Sequence, residues 1–251
     1  MKVTILTIFP EFFDSPLKQS LLGKALARGS LGIELVDIRD YTADKHRTVD
    51  DAPFGGGTGM VMKVEPLYEA LSAVTAGKDI PRRKIILTSA AGRKFNQRTA
   101  IEYSLLDHLV IICGRYKGVD ARLHKFFDIE EVSIGDYVLN GGETAALAIV
   151  ESVFRLLPGG IGKIDSAMSD SFIEEMLGCQ VWTRPARFKG ESVPAVMQGG
   201  DHARQERFRR FCALQMTMNR RPDLLRQTIL DEDDRLMLQE IAAGKEFEDC
   251  Y

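Results

Sequence analysis

The sequence predicts an α/β protein in which a parallel sheet is covered by helices, and three observations carry that prediction. Short β-branched and apolar runs alternate with helical patterns from Val3 to Leu157. Three of the runs lead into segments of small, conformationally permissive residues, where an open parallel sheet gathers its ligands. The chain of 251 residues is 45% hydrophobic, enough to bury a sizeable core in one large domain or two of unequal size.

The elements follow in order. Residues 3–8 are β-branched and apolar, stop at Pro10, and read as a buried strand. Ser15 and Pro16 then fit an N-cap and first helical residue, with Leu17, Leu21, Ala25 and Leu26 on one face and Gly29 as the stop. Residues 33–37 give a second strand. Strands at 85–88, 109–113 and 129–134 alternate with helical patterns at 66–76, 95–106 and 119–126. A long apolar helix covers 143–157 and breaks at Pro158-Gly159-Gly160.

The three segments after strands are TSAAG at 88–92, CGRYKG at 113–118 and SIGDYVLNGGE at 133–143. The last sets Gly135, Asn140, Gly141 and Gly142 around the apolar run Tyr137-Val138-Leu139. A plain strand-to-helix connection is shorter and more polar, so this one suits a surface that wraps something flat. The segment 39–62 is long for a structureless connection and carries His46, Arg47, Asp50 and Asp51 before Gly55-Gly56-Gly57-Thr58-Gly59. With no preceding strand and no GK[ST] ending, its glycines are not a phosphate loop.

Composition removes other classes. Cys113, Cys179, Cys212 and Cys250 are far apart without a CxxC pair, so neither a zinc site nor a disulfide framework is indicated. No run reaches the roughly 18 apolar residues of a membrane span, and the N-terminus lacks a cleavable leader pattern. A cytoplasmic protein without a membrane partner is expected. Net charge is −3, but residues 181–230 hold ten Lys and Arg against four Asp and Glu, whereas 231–251 hold eight acids against two bases. That asymmetry fits either an electrostatic footprint for nucleic acid or a solvated helical face.

The C-terminal part reads as helical, at 201–219, 223–230 and 232–243. In the first of these, Phe208, Phe211, Leu214 and Met218 form a core face, and Arg204, Arg207 and Arg210, at steps of three, form a candidate phosphate-reading stripe. Small, polar residues 162–169 make the best linker. Asp170 beyond it fits an N-cap of a following helix as well as a functional carboxylate.

FGGGTGM at 54–60, CGRYKGVD at 113–120, SIGDYVLNGGE at 133–143, the stretch 155–170 and the TRP of 183–185 together resemble the bacterial tRNA (guanine-N1)-methyltransferase family. The similarity runs in order from the FP at 9–10 to RRPDLL at 220–225. It implies a SPOUT fold, a parallel sheet with a deep trefoil knot towards its carboxyl-terminal side, plus a small all-helical C-terminal domain. The corresponding boundaries are a knotted domain at 1–160, a linker at 161–171 and a tRNA-binding domain at 172–251. It also implies S-adenosylmethionine as methyl donor, tRNA as acceptor, and a homodimer with active sites at the subunit interface.

By the same resemblance, Leu87, Ser89, Gly92, Gly114, Tyr116, Ile134, Gly135, Asp136, Tyr137, Val138, Leu139, Gly141 and Gly142 are the cofactor positions. His46, Arg47, Asp50, Arg184, Arg204, Arg207 and Arg210 are assigned to RNA. Lys117 stands where many members carry Glu, and Gly178 where an acid often precedes the Cys. No protein-bound Mg²⁺ site is therefore identified, and any Mg²⁺ is assigned to RNA or cofactor. Ala90, Ala145 and Phe208 also depart from the usual residues. The implied chemistry is methylation of the guanosine immediately 3′ to the anticodon. Guanine N1 must lose a proton before its lone pair attacks a methyl group, which calls for a base. Asp170 aligns with the family's general base and Arg155 with its O6 stabiliser; a positioned base contributes roughly 10²- to 10⁴-fold. A non-catalytic RNA-binding SPOUT protein and a SPOUT methyltransferase for another RNA site are the alternatives.

Overall fold

The computed structural model describes residues 1–77, 80–160 and 170–247. The chain clusters into two compact units, Met1–Ile164 and Asp165–Tyr251. The linker expected at 161–171 lies, apart from its last two residues, outside the described residues.

In the first unit β1 (Lys2–Thr7), α1 (Ser20–Ala27) and β2 (Gly32–Asp37) come first. A short ribbon follows, β3 (Asp50–Asp51) against β4 (Val61–Met62), then α2 (Val64–Thr75), β5 (Arg83–Lys94) and α3 (Gln97–Ser104). The unit ends with β6 (His108–Cys113), β7 (Ile129–Ser133) and α4 (Glu143–Phe154). Strands β1, β2, β5, β6 and β7 form one sheet in the order β2-β1-β6-β5-β7, with every pairing parallel.

Central position explains the strands' unbroken apolar runs. In β6, Leu109 and Ile111 enter one core cluster while Val110 and Ile112 enter the other. Val3 and Ile5 oppose Leu6 in β1 in the same way, as expected when side chains alternate across a sheet buried on both faces. Helices α1, α3 and α4 cover the first face through residues such as Leu22, Tyr103 and Ile149, and α2 covers the second through Leu67 and Leu71. Each fully buried aliphatic side chain contributes about 1.5–3 kcal/mol.

Four local expectations change. The helix expected from Pro16 is a 3₁₀ turn, Pro16–Lys18, separated from α1 by extended Gln19, with Ser20, the first residue of α1, at φ 57°. The break shifts the helical phase, so Leu22 is buried and Leu21 exposed. TSAAG is not a loop beyond a strand: β5 continues through it to Lys94, and its pairing with β7 shifts register between Thr88 and Arg93. The helical pattern at 119–126 is a 3₁₀ turn, Ala121–Lys125, capped by Asp120. Segment 39–62 is not structureless, because β3 and β4 pair across its glycines, of which Gly55, Gly56, Gly57 and Gly59 have positive φ.

The second unit holds α5 (His202–Arg220) and α6 (Glu232–Ala242), with short helical turns at Ala195–Gln198 and Pro222–Leu225. Asp201 accepts a hydrogen bond from Arg204 N at 3.0 Å to cap α5, and Asp231 with Asp234 forms a capping box on α6. Phe208, Phe211, Leu214, Met237, Ile241 and Phe247 build its core. The unit is not all helical: β8 (Arg187–Phe188) pairs antiparallel with β9 (Glu191–Ser192) around Lys189 and Gly190, both at positive φ. Residues 171–176 are turns and bends, so Asp170 caps no helix there.

Candidate functional site

The carboxyl ends of β6 and β7 and the irregular middle of β5 open into one cavity of about 490 Å³, inside the range of small-molecule sites. All three segments singled out in the sequence line it. Its walls include Leu87, Ser89, Gly114, Tyr116, Ile134, Gly135, Tyr137, Val138, Leu139, Gly141 and Gly142, along with Thr88, Arg115, Lys117 and Asn140. Val138 is 88% and Tyr137 55% exposed, so an apolar lip faces solvent where a connection would be polar.

The cavity wall is a product of close backbone approach. Gly142 N donates to Gly114 O at 2.9 Å, and Gly114 N donates to Thr88 Oγ1 at 3.2 Å, tying the three segments together. A Cβ at Gly142 would lie 1.8 Å from Thr88 Oγ1 and 2.9 Å from Cys113 Cα. Gly135, at φ 156°, lets the Tyr137 ring fold back to within 2.3 Å of where its Cβ would stand.

Below the wall lies a buried charge that sequence reading missed. Glu143, 2% exposed at the first turn of α4, accepts from Thr7 Oγ1 at 2.9 Å and from Arg115 Nε and Nη2 at 3.3 Å each. The Arg115 guanidinium also sits 4.3 Å from the centre of the Phe9 ring. Glu143 was visible only as the residue ending SIGDYVLNGGE. Its partners, 28 and 136 residues away, leave no local signal. Burial, and next the Glu143 charge, push the Cys113 thiol well up, which makes it an inert neutral wall.

The glycine ribbon is stitched to the second cavity segment. Lys117 N donates to Met60 O at 2.9 Å, Met62 N to Gly118 O at 3.0 Å, and Asp120 N to Met62 O at 3.0 Å. Tyr116, at φ 59°, has its phenol pushed up by burial and then by Asp50 beside it. The structure thus brings together a candidate cofactor residue and a candidate RNA residue.

Other expected site residues lie elsewhere. Gly92 does not line the cavity; a Cβ there would sit 2.3 Å from Val132 N, so the glycine serves the packing of β5 on β7. Asp136 points away and pairs with Lys94 at 2.7 Å. His46 is exposed, and Arg47 pairs with Asp37 at 3.3 Å and with Asp40. Arg155 follows α4 as its C-cap and is exposed, as are Asp170 and Arg184 in the second unit.

The arginine stripe is corrected in part. Arg210 is held by Asp234 at 2.6 and 2.7 Å and by Glu174, and Arg207 by Asp233 at 3.2 Å. Asp234 is 2% exposed, and Arg210 compensates that buried carboxylate. Arg204 is exposed. Among the described residues no group of three or more His, Cys, Asp or Glu is placed to hold a metal, and no helix is long and apolar enough to cross a membrane.

A parallel sheet with a glycine-walled cavity at the carboxyl ends of neighbouring strands defines a ligand-binding α/β protein. A family profile described as tRNA (Guanine-1)-methyltransferase TrmD matches residues 1–227, and the chain belongs to that family. Relatives named tRNA (guanine-N(1)-)-methyltransferase include one from Geobacter metallireducens, 47% identical over 97% of this chain and 99% of its own. Those from Frankia alni and Moorella thermoacetica are 48% and 46% identical, over 97% and 96% of this chain and 92% and 97% of theirs.

Proposed function

We propose that the protein methylates N1 of the guanosine immediately 3′ to the anticodon of tRNA, with S-adenosylmethionine as donor. The observation that carries the reading is the cavity formed where three glycine-bearing segments meet, in a chain matching the family over residues 1–227. Its shape and chemistry fit the donor. Apolar Tyr137, Val138 and Leu139 suit a flat heteroaromatic ring, and the backbone around Gly114, Gly141 and Gly142 admits close approach. When bound, S-adenosylmethionine supplies a methyl group made electrophilic by its sulfonium.

The chain's own residues do the rest. Asp170 takes the N1 proton, freeing the lone pair for attack, and Arg155 stabilises the negative charge that deprotonation spreads onto O6. A homodimer places the cavity of one subunit against the Asp170-bearing segment of the other. The fold is a SPOUT domain with a deep trefoil knot at the cavity; the tight passage of Gly142 beside Thr88, Cys113 and Gly114 supports such a thread. Residues 161–171 act as linker, and the second unit binds tRNA with Arg184 and Arg204. Lys117 at the cavity leaves Mg²⁺, where the reaction uses it, to RNA or cofactor.

The test is transfer of labelled methyl from S-adenosylmethionine to an unmodified tRNA transcript, with the guanosine 3′ to the anticodon present or replaced by adenosine. Label that depends on that guanosine is expected. Equal label on both transcripts, or none on either, overturns the reading.

A further inference from the structure

In the second unit, residues 177–182 run along α5 as a strap. At one end Leu177 N donates to Thr217 Oγ1 at 3.0 Å. At the other, the Trp182 ring lies 5.9 Å from the Phe208 ring. Nine helical residues span about 13 Å and five extended ones about 16 Å, so residues 177–182 are long enough to reach between the two anchors, running against the direction of the helix. Between these two anchors Cys179 lies beside Cys212, the group that acts most strongly on its thiol, and Cys179 Sγ donates to Gln180 O at 3.1 Å. Both cysteines are half-buried and reduced, which leaves them open to a small reagent.

We propose that Cys179 and Cys212 are a modification site, a dithiol that hydrogen peroxide converts into a disulfide fastening the strap to α5, reversible by thiol reductants. The Cys179 thiolate attacks a peroxide oxygen, the O–O bond breaks and hydroxide leaves, giving a sulfenic acid. Hydroxide takes up the proton that Cys179 released. The Cys212 sulfur then attacks that sulfenic sulfur, the S–O bond breaks, and the oxygen leaves as water with the Cys212 proton. The two thiols lose two electrons and the peroxide becomes two waters.

The surroundings favour Cys179 as the attacking sulfur. The hydrogen bond from Cys212, then the Arg209 charge, hold its thiol below the ordinary cysteine range against the opposing effect of burial. Arg209 also pairs with Glu206 at 2.9 Å, which moderates its pull. Cys113, the other thiol with a described environment, is shifted the opposite way by burial and is expected to stay unmodified.

The site also has a reason to matter. The strap lies between Asp170 and Arg184, which the functional reading above makes the base and an RNA contact. Resting on that reading, the oxidised protein is expected to turn over tRNA about tenfold more slowly, since small misplacements of a catalytic group are costly. The cofactor cavity belongs to the first unit, so affinity for S-adenosylmethionine is expected to be unchanged.

The experiment treats the full chain with hydrogen peroxide, blocks residual thiols and maps peptides by mass spectrometry without reduction. A Cys179–Cys212 cross-linked peptide lighter by two hydrogens, absent after dithiothreitol, is expected. Cys212→Ser is expected to leave a sulfenic acid on Cys179 that dimedone traps. Oxidation of Cys179 in the wild type without a cross-link, a bond to Cys113 or Cys250 instead, or no reaction overturns the proposal. A cross-link with undiminished turnover overturns its regulatory consequence alone. Absence of tRNA methylation by the reduced protein counts against the functional reading and leaves the cross-link test intact.

Discussion

The two units use opposite means to place functional groups. In the first, the cavity wall is made by close passage of the chain, with Gly114 against Thr88 O and Gly142 against Thr88 Oγ1 and Cys113 Cα. In the second, α5 and α6 are joined by charge: Arg207 and Arg210 answer Asp233 and Asp234. Glycine segments keep their meaning when read from sequence, because a residue without Cβ has few reasons to sit where it does. Arginines do not, because a cation on a helix can face solvent, nucleic acid or a distant carboxylate. Two bases of the basic stretch and two acids of the acidic end that suggested a footprint face each other across an internal seam.

The largest expected effect separates chemistry from both architectures. Asp170→Ala should lower methyl transfer by roughly 10²- to 10⁴-fold with S-adenosylmethionine affinity nearly intact, as read by single-turnover transfer and calorimetric titration. Full transfer by that variant would remove Asp170 from the mechanism.

Next comes the backbone-built wall. Gly142→Ala puts a methyl group 1.8 Å from Thr88 Oγ1 and against Cys113 Cα, so the segments must part. Cofactor binding is expected to be lost, with about 1–3 kcal/mol of destabilisation. Normal affinity in a titration would show that the close approach is incidental.

The charged seam gives the third. Arg210→Ala strands the buried Asp234 carboxylate and should destabilise the second unit by about 3 kcal/mol, measured by denaturant melts. Hydrogen bonds from Arg210 hold the Asp234 carboxyl below the usual range. Its folded pKa is therefore lower than its unfolded value of about 3.9. The stability it contributes is present above that value and is lost as pH falls through the folded pKa. The variant should lack this acid-side loss, and an unchanged pH profile would contradict the seam.

The smallest effect tests what remains of the RNA stripe. Arg204→Ala should weaken tRNA binding modestly and reduce the salt slope by about one, whereas Arg210→Ala, compared at a temperature where it is folded, should leave the slope alone. Equal slopes for the two variants would erase the distinction between reader and seam.

The sheet was legible because its central strands β1 and β6 are largely apolar and buried on both faces, and the cavity because permissive segments follow β6 and β7 while a third lies within β5. What escaped had partners far along the chain. Glu143 depends on Thr7 and Arg115, and Arg210 on Asp234 and Glu174, at separations that periodicity does not report. The phase of α1 escaped for a local reason: Ser20 at φ 57° is a choice that sequence pattern does not signal. Threading leaves no trace in apolar spacing, so the expectation of a knot came only with the resemblance.

The place of β1 inside the sheet has a consequence for synthesis. During synthesis β1 can pair on one side with β2 soon after both have emerged, but its other neighbour is β6, with Lys2 opposite His108. Roughly a hundred residues must be made before that edge is covered, on the order of 5–20 s at bacterial rates of elongation. During that interval Val3, Ile5 and Leu6, buried in the finished protein, lie along an open strand. A newborn chain therefore needs chaperone cover along β1 until β6 has been made.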